Sequence, residues 1–373
     1  MSRLLFAEDI TPGHPDRLAD LVAETLVERI QTSDRLASVG IEVALHRNLV
    51  LVTGYVAATP ATLMRLRPDR GADEWLQGLV DQVVQDAGYT GRWALPVTVT
   101  SDLVAEERTP DITEGQGFSC DQDVVVGYAT PDDALGNLPV EVVAARAARA
   151  GLSQAQRSRP DLVGPDGKVL VVLRDGAAGH EVEAVNISVV HTPATTFEHL
   201  YRVVGPAVAA GLRSVPGLAV PDSVDPSWCT INGAGGFLLP GPQGDGGLSG
   251  KKLVVDLYGP RVPIGGGALC GKDVYKADRC GPLRARQLAV RLARTTGTEA
   301  TVWSGWFPGQ ERPQFTWARL GDGRELDDRA IDQLVGLPDL SIRATVAEFE
   351  LGLRPWSALV QRGYVGTANP WDC

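Results

Sequence analysis

The chain has 373 residues and a net charge of −11, from 35 Lys plus Arg against 46 Asp plus Glu. At about 100–200 residues per domain, this length predicts two or three structural units. Gly and Pro make up about 18% of the chain, below the ~25–30% of low-complexity disorder. No run of about 18 apolar residues is present to form a transmembrane helix. The acidic balance (pI near 5.0) argues against a nucleic-acid binder. The first residues, MSRLLFAEDITPGHPD, lack a secretory pattern. The five cysteines (Cys120, Cys229, Cys270, Cys280 and Cys373) have no CxxC spacing and are odd in number. A disulfide framework and a structural zinc site are therefore not expected, and a cytoplasmic protein without membrane contact is.

Residues 16–30 have helical spacing, with Leu18, Leu21, Leu26 and Ile30 on one face. Pro15 suits the first turn, which puts His14 and Asp16 at the helix N-terminus. Ile41, Val43 and Leu45 alternate with polar positions, and a turn at Arg47-Asn48 leads into Leu49–Val52, the pattern of a hairpin. A helix is predicted over 73–87, stopped by Gly88, and a strand over 95–100. Residues 109–123 (TPDITEGQGFSCDQD) read as a loop. Helices follow over 139–150 and 197–212, with strands at 168–173 and 182–190 between them. A glycine-rich connection fills 229–250. A strand is predicted at 252–258 (KLVVDLY), then a glycine loop at 265–272 and helices over 282–295 and near 326–335 and 343–352. Strands linked by hairpins, without a regular βα alternation, predict an α+β fold.

The basic residues are unevenly chosen. Thirty are Arg and five are Lys, namely Lys168, Lys251, Lys252, Lys272 and Lys276. The pattern predicts Arg for nearly every surface cation. Four of the lysines fall within 251–276, among glycines and aspartates. Lys is a compact point charge suited to phosphate oxygens, whereas Arg is a planar fork. GPQGDGGLSGKK (241–252) fails the P-loop pattern, because Asp245 stands where its first Gly belongs and Lys252 where Ser or Thr belongs. GGGALC (265–270) fails the dinucleotide fingerprint at Cys270. What remains is two glycine loops carrying Asp245, Lys251, Lys252, Lys272, Asp273, Lys276 and Asp278. Glycines permit close approach, ammoniums neutralise phosphate and carboxylates hold Mg²⁺, so the set predicts a polyphosphate site. His14 and Asp16 add an anion and metal position at a helix start. No GxSxG motif and no Cys–His pairing support a hydrolase.

These stretches resemble the S-adenosylmethionine synthetases. The likeness runs through GHPDRLAD (13–20), IEVALHRNLVLVTG (41–54), TPDI, DQDVVVGYAT, PDGK (165–168), SVVH (188–191), FLLPGPQGDGGLSGKKLVVDLYG and GGGALCGKDVYKADR, and more loosely through GLRPW (352–356) and NPW. It implies three similar α+β subdomains interleaved in sequence, here expected within 1–100, 101–225 (with a short active-site lid at 109–123) and 226–373. It also implies a homodimer or dimer of dimers with active sites between subunits. The implied reaction is attack of the methionine sulfur on C5′ of ATP, followed by cleavage of the tripolyphosphate to pyrophosphate and phosphate. On this resemblance His14 stabilises the triphosphate, Asp16 and Asp278 hold Mg²⁺, and Glu42 holds K⁺. Lys168, Lys251, Lys252 and Lys272 contact phosphates. Lys276 lies near the methionine carboxylate and the phosphates. Phe237 stacks on adenine, with Ser188 and Ala268 also in the ATP site. Asp121, Asp166 and Asp245 hold the adenosine and the substrate.

The departures from the family pattern cluster on the amino-acid side. Tyr55 follows Gly54 where the family has the Glu that receives the methionine ammonium, and Arg108 replaces a Gln that contacts methionine. The lid is shortened, FSCDQD replaces GAGDQG, and Gly236 replaces an Arg beside the adenine-stacking Phe. These changes predict an adenosyltransferase with altered recognition of the thioether. The alternatives are transfer to another nucleophile, triphosphate cleavage alone, or a catalytically silent partner subunit.

Overall fold

The computed structural model describes residues 3–64, 66, 72–177 and 179–373. Thirteen strands form three sheets among them. The first sheet runs β1 (Arg3–Ile10), β6 (Val163–Gly176), β7 (Gly179–His191) and β8 (Leu218–Ala219), with β9 (Cys229–Ile231) also paired to β7. The second runs β10 (Gly247–Leu248), β2 (Ser38–His46), β3 (Leu49–Ala58) and β4 (Thr98–Glu107). The third runs β13 (Glu325–Leu326), β12 (Phe315–Leu320), β11 (Ala300–Trp306) and β5 (Asp123–Ala129). Every sheet draws strands from distant parts of the chain. This is the α+β, interleaved three-part fold expected from the sequence.

Helices cover one face of each sheet. α1 (Pro15–Ser33) and α3 (Ala72–Asp86) lie on the second sheet; the four-residue α2 (Pro60–Leu63) precedes α3. After the short α4 (Pro110–Gly115), α5 (Val140–Ser158) and α6 (Phe197–Arg213) cover the first sheet. α8 (Ala277–Thr296) lies on the third, joined by α9 (Asp328–Val335) and α10 (Ile342–Glu348); α7 (Leu253–Asp256) is one turn long, and α11 (Trp356–Arg362) packs on α1. The apolar periodicity of the sequence becomes these helix–sheet contacts. Leu18, Leu26 and Ile30 of α1, and Leu76 and Val80 of α3, are each 2% exposed or less. Burying a side chain of this size contributes about 1.5–3 kcal/mol. No helix among the described residues is long and apolar enough to cross a membrane.

Three expectations are corrected. KLVVDLY is not a strand: Lys252 starts the single turn of α7, which packs against β1 and buries Leu253 and Val255. A short apolar run does not distinguish a strand from a buried helical turn. Residues 109–123 are not wholly loop. Thr109 caps α4 by accepting the Ile112 N–H, and the segment is tied by Gln116 to the Leu36 carbonyl at 2.6 Å and by Ser119 N–H to the Gln310 carbonyl at 2.9 Å. Arg is also not confined to surface duty. Arg279 and Arg286 of α8 are fully buried, and Arg279 grips both oxygens of the buried Glu24 of α1 at 2.6 and 2.7 Å. Both contacts come from Nη2, while Nε donates to the Leu269 carbonyl at 3.1 Å.

Candidate active site

The start of α1 organises the first group of polar side chains. His14 is the N-cap, and its Nδ1 accepts the Asp16 N–H at 3.2 Å. Nε2 must then carry the ring proton and is left as a donor. Burial lowers the His14 pKa to about 4, and the Lys252 and Lys168 ammoniums reinforce the shift against the pull of Asp16. The ring is therefore neutral at pH 7. Asp16 is 2% exposed. Its Oδ1 accepts the Leu248 N–H at 3.0 Å and lies 3.6 Å from Lys251 Nζ, while Oδ2 lies 2.9 Å from Lys252 Nζ. Although burial works the other way, the Lys252 contact and the Leu248 N–H hold the carboxyl below its usual range. Beneath this group, Arg17 bridges Asp20 and Asp256 inside the core and fixes the first turn.

Lys168 stands on β6 between Ile10 of β1 and Ser188 of β7, on the exposed face of the first sheet. Two residues before it, the buried Asp166 accepts the Gly241 N–H at 2.8 Å. Burial raises its pKa to about 7, and Asp245 pushes the same way. Asp245 is exposed. Half-buried Phe237 is pinned to the end of β7 through His191, whose backbone N–H donates to the Phe237 carbonyl at 2.9 Å and whose Nε2 accepts the Phe237 N–H at 3.3 Å. The structure thus gathers His14, Asp16, Lys251 and Lys252, with Lys168, Asp166, Asp245 and Phe237 along the adjoining strand ends.

The second group lines a cavity of about 1200 Å³. Its walls include Gly40, Glu42 and Gly54 of the β2–β3 hairpin, Asp121 and Asp123, Ala268, Lys272 and Asp278. Lys272 Nζ lies 2.5 Å from Asp278 Oδ1 at the N-terminus of α8. Lys276 caps that helix, and its Nζ meets Ser38 Oγ at 2.9 Å and the buried Asp273 at 3.2 Å. Glu42 is exposed on β2. Ser249 and Ala268 place the two lysine-bearing loops side by side at the cavity wall. No hydrogen bond or ion pair among the described residues joins Asp16, Lys251 and Lys252 to Lys272 and Asp278. The chain thus carries two carboxylate–ammonium groups, one at the start of α1 and one at the cavity.

Residues 239–372 match the S-adenosylmethionine synthetase C-terminal domain, and residues 2–106 the N-terminal domain of the same family. The S-adenosylmethionine synthase of Desulforudis audaxviator is 31% identical over 403 aligned positions, spanning 100% of this chain and 96% of that protein. This chain belongs to the S-adenosylmethionine synthetase family. The Thermus thermophilus synthase is 29% identical over 99% of the chain and 95% of its own length. A solved structure described as an unusual S-adenosylmethionine synthetase from Campylobacter jejuni superposes with a TM-score of 0.84 at 24% identity, covering 100% of this chain and 97% of that one; this is a likeness of fold. Identities near 30% over nearly the whole chain mark a divergent adenosyltransferase-family member.

Two carboxylates, one in the cavity and one beyond its lining, were not singled out by residue pattern. Asp123 sits in the cavity with one oxygen buried and unpartnered; burial and then the charge of Asp278 raise its pKa to about 6. Glu106, at the end of β4, accepts the Tyr55 hydroxyl. The DQD triplet was the available signal for Asp123. Nothing local in the sequence marks Glu106, which meets Tyr55 only through the parallel β3–β4 pairing. Arg108 is already engaged: its Nε and Nη2 approach Asp34 at 3.4 and 3.3 Å, and its Nη1 donates to Thr113 at 2.6 Å.

Among the described residues, no three Asp, Glu, His or Cys side chains converge on one metal-sized point. Mg²⁺ needs fewer protein ligands, since it is commonly held by one or two carboxylates plus substrate phosphate and water. Asp16 and Asp278 fit that demand. Each is a carboxylate already facing ammonium groups, so each position already favours a cation.

Proposed function

We propose that this protein is an ATP-dependent adenosyltransferase whose nucleophile is the sulfur of methionine or a close thioether analogue. The observation that carries this reading is the pairing of Lys251 and Lys252 with Asp16, and of Lys272 with Asp278, around glycine loops and a neutral His14. A thioether has no proton to lose, so its attack needs no general base. A sulfur lone pair forms the S–C5′ bond, and the C5′–O bond breaks with its electron pair passing to the tripolyphosphate. The barrier then depends on how well that departing charge is met, and preorganised positive charge is the largest lever available. The His14 Nε2–H is a neutral donor for a leaving-group oxygen, while Lys168, Lys251, Lys252 and Lys272 supply charge. The tripolyphosphate is then cleaved by water to pyrophosphate and phosphate.

Asp16 and Asp278 would hold Mg²⁺, which supplies further positive charge to the phosphates; Glu42 would hold K⁺. Asp166, Asp245, Ser188, Ala268 and Phe237 would bind the nucleoside, and Asp121 and Lys276 the thioether. The rebuilt residues Tyr55 and Arg108 favour a second reading, in which the nucleophile departs from methionine.

The active form is proposed to be a dimer. The sheet faces not covered by helices expose Leu4 and Phe6 on β1, Leu49 on β3, Val104 on β4, and Val124 and Phe315 on β5 and β12. These exposed apolar side chains, of which Val124 and Phe315 also line the cavity, are the surface proposed to meet a second copy. A two-fold arrangement would let the α1 group of one copy meet the cavity group of the other. Subunit mixing tests this. Lys252→Met and Lys272→Met should each be inactive alone. After co-refolding in equal amounts, about a quarter of wild-type activity should return, because half the dimers carry one intact site of two. No recovery, with mixed dimers demonstrated, would refute the shared site.

A further inference from the structure

The GLRPW stretch (352–356) has no part in the proposed reaction. It closes a cavity of about 250 Å³ against the last turns of α1, lined also by Glu28, Gln31 and Arg35. None of its lining residues lines the catalytic cavity. The volume lies below the roughly 300–1,000 Å³ of drug-sized pockets, so the cavity suits a small molecule. Two of its residues hold buried polar groups without partners. Gln31 is 4% exposed, and neither its amide nitrogen nor its amide oxygen makes a hydrogen bond. Among the described residues it is the one side chain with two such stranded atoms. Trp356 is 1% exposed, and its indole N–H is likewise unmet. Buried amides and indoles normally find a partner, because leaving them unpaired is destabilising. The Trp356 ring is fixed where it stands: it stacks on Trp371 at 6.3 Å and carries the Arg279 guanidinium 4.2 Å from its centre.

The unpaired charges at this cavity are one of each sign. Arg35 is exposed and has no carboxylate partner among the described residues, whereas Arg354 is paired with Glu350 at 3.2 Å. Glu28 has no Lys or Arg partner among the described residues. Its Oε2 accepts the Ser357 N–H at 3.1 Å and the Ser357 hydroxyl at 2.8 Å, both neutral donors. Gln31 lies between the two charges in sequence, three residues after Glu28 and four before Arg35. The last turn of α1 has no basic side chain, so the negative end of that helix lacks a cation of its own.

We propose that this cavity is a second ligand site and that it takes a small α-amino acid. The ammonium meets Glu28 and the Gln31 amide oxygen at the end of α1. The carboxylate meets Arg35, the Gln31 amide N–H and the Trp356 indole N–H. A zwitterion answers all of these groups, whereas a simple amine or a simple acid answers one charge and leaves the other. Leu353, 63% exposed at the rim, offers apolar contact to a short side chain. The inference does not depend on the adenosyltransferase reading, since the two cavities share no lining residue.

The test is titration calorimetry on the full chain with L-alanine and L-valine, neither of which carries a thioether sulfur. Their fragments serve as controls: propanoate and ethylamine for alanine, 3-methylbutanoate and 2-methylpropylamine for valine. Wild type should bind an amino acid at least about 10-fold more tightly than either of its fragments, the loss expected for one charged hydrogen bond. Arg35→Met and Glu28→Gln should each weaken that binding by about 10-fold or more. Gln31→Leu discriminates most sharply. It should weaken binding about 10-fold yet melt, without ligand, at or above the wild-type temperature, because an apolar side chain of similar size carries no stranded amide. Should Gln31→Leu fail to fold, the Arg35 and Glu28 variants decide. Failure of both amino acids to bind at millimolar concentration would overturn the proposal, as would equal binding of a fragment, or a Gln31→Leu protein that melts lower than wild type and binds normally. Binding abolished by Lys272→Met but untouched by Arg35→Met would place the amino acid in the catalytic cavity and overturn it as well.

Discussion

Gly267→Ala puts the cavity geometry at risk with a single methyl group. The added Cβ would lie 1.8 Å from Asp278 Oδ1, 2.6 Å from its Cγ and 3.0 Å from its Cβ. Ordinary contact begins near 3.4 Å, so the carboxylate must move by roughly 1.5 Å, and overpacking of this kind costs about 1–3 kcal/mol. The Lys272–Asp278 pair at 2.5 Å cannot survive the move. That pair is partly exposed and contributes only about 0–1 kcal/mol to stability, so the chief effect falls on the site. Misplacing a catalytic group by about 1 Å can cost about 100-fold in rate. Gly266→Ala is the matched control: its Cβ would meet only Asp123 Oδ1, at 3.5 Å. The assay is phosphate release from ATP in the presence of a thioether, with thermal melting in parallel. Gly267→Ala should lose about 100-fold in kcat/KM with a modest drop in Tm, while Gly266→Ala should stay within about 3-fold of wild type, as a van der Waals contact without displacement implies. Equal activity of the two variants, in either direction, would refute the argument.

Arg279→Met should destabilise the fold by about 3–5 kcal/mol in urea titrations, because it strands the buried Glu24; adding Glu24→Gln to it should recover part of the loss, and failure to do so would contradict the pairing. Asp166→Asn should abolish a pH dependence of stability. Burial raises the folded-state pKa of Asp166 to about 7, against about 3.9 in the unfolded chain, so its contribution is full below pH 4 and is lost as pH rises through 7. The Asn variant keeps an acceptor for the Gly241 N–H. Measured by denaturant midpoint, wild type should lose about 2–4 kcal/mol relative to Asp166→Asn between pH 4 and pH 8, and a constant difference would refute the shift.

The sequence carried the local elements well where periodicity was long. α1 and α3 fall within a few residues of their predicted bounds, and the β2–β3 hairpin turns where Arg47-Asn48 predicts it, with Arg47 at φ 55°. KLVVDLY failed because a buried helical turn and a buried strand share one apolar pattern over so few residues. The scarcity of Lys pointed to Lys251, Lys252, Lys272 and Lys276, and each of them meets a carboxylate. The arginines misled, since composition does not separate a surface cation from one buried against Glu24. What stayed invisible was long-range pairing. Glu106 reaches Tyr55 across 51 positions of sequence, and Arg108 reaches Asp34 across 74. No local spacing encodes either contact.

The most direct test of the account is product analysis after incubation of the purified protein with ATP, MgCl₂ and methionine or 3-(methylthio)propylamine. It predicts an adenosyl sulfonium whose new bond joins sulfur to C5′, together with equimolar pyrophosphate and phosphate. Formation of ADP or AMP in place of an adenosyl sulfonium, or recovery of ATP intact with every thioether, would contradict it.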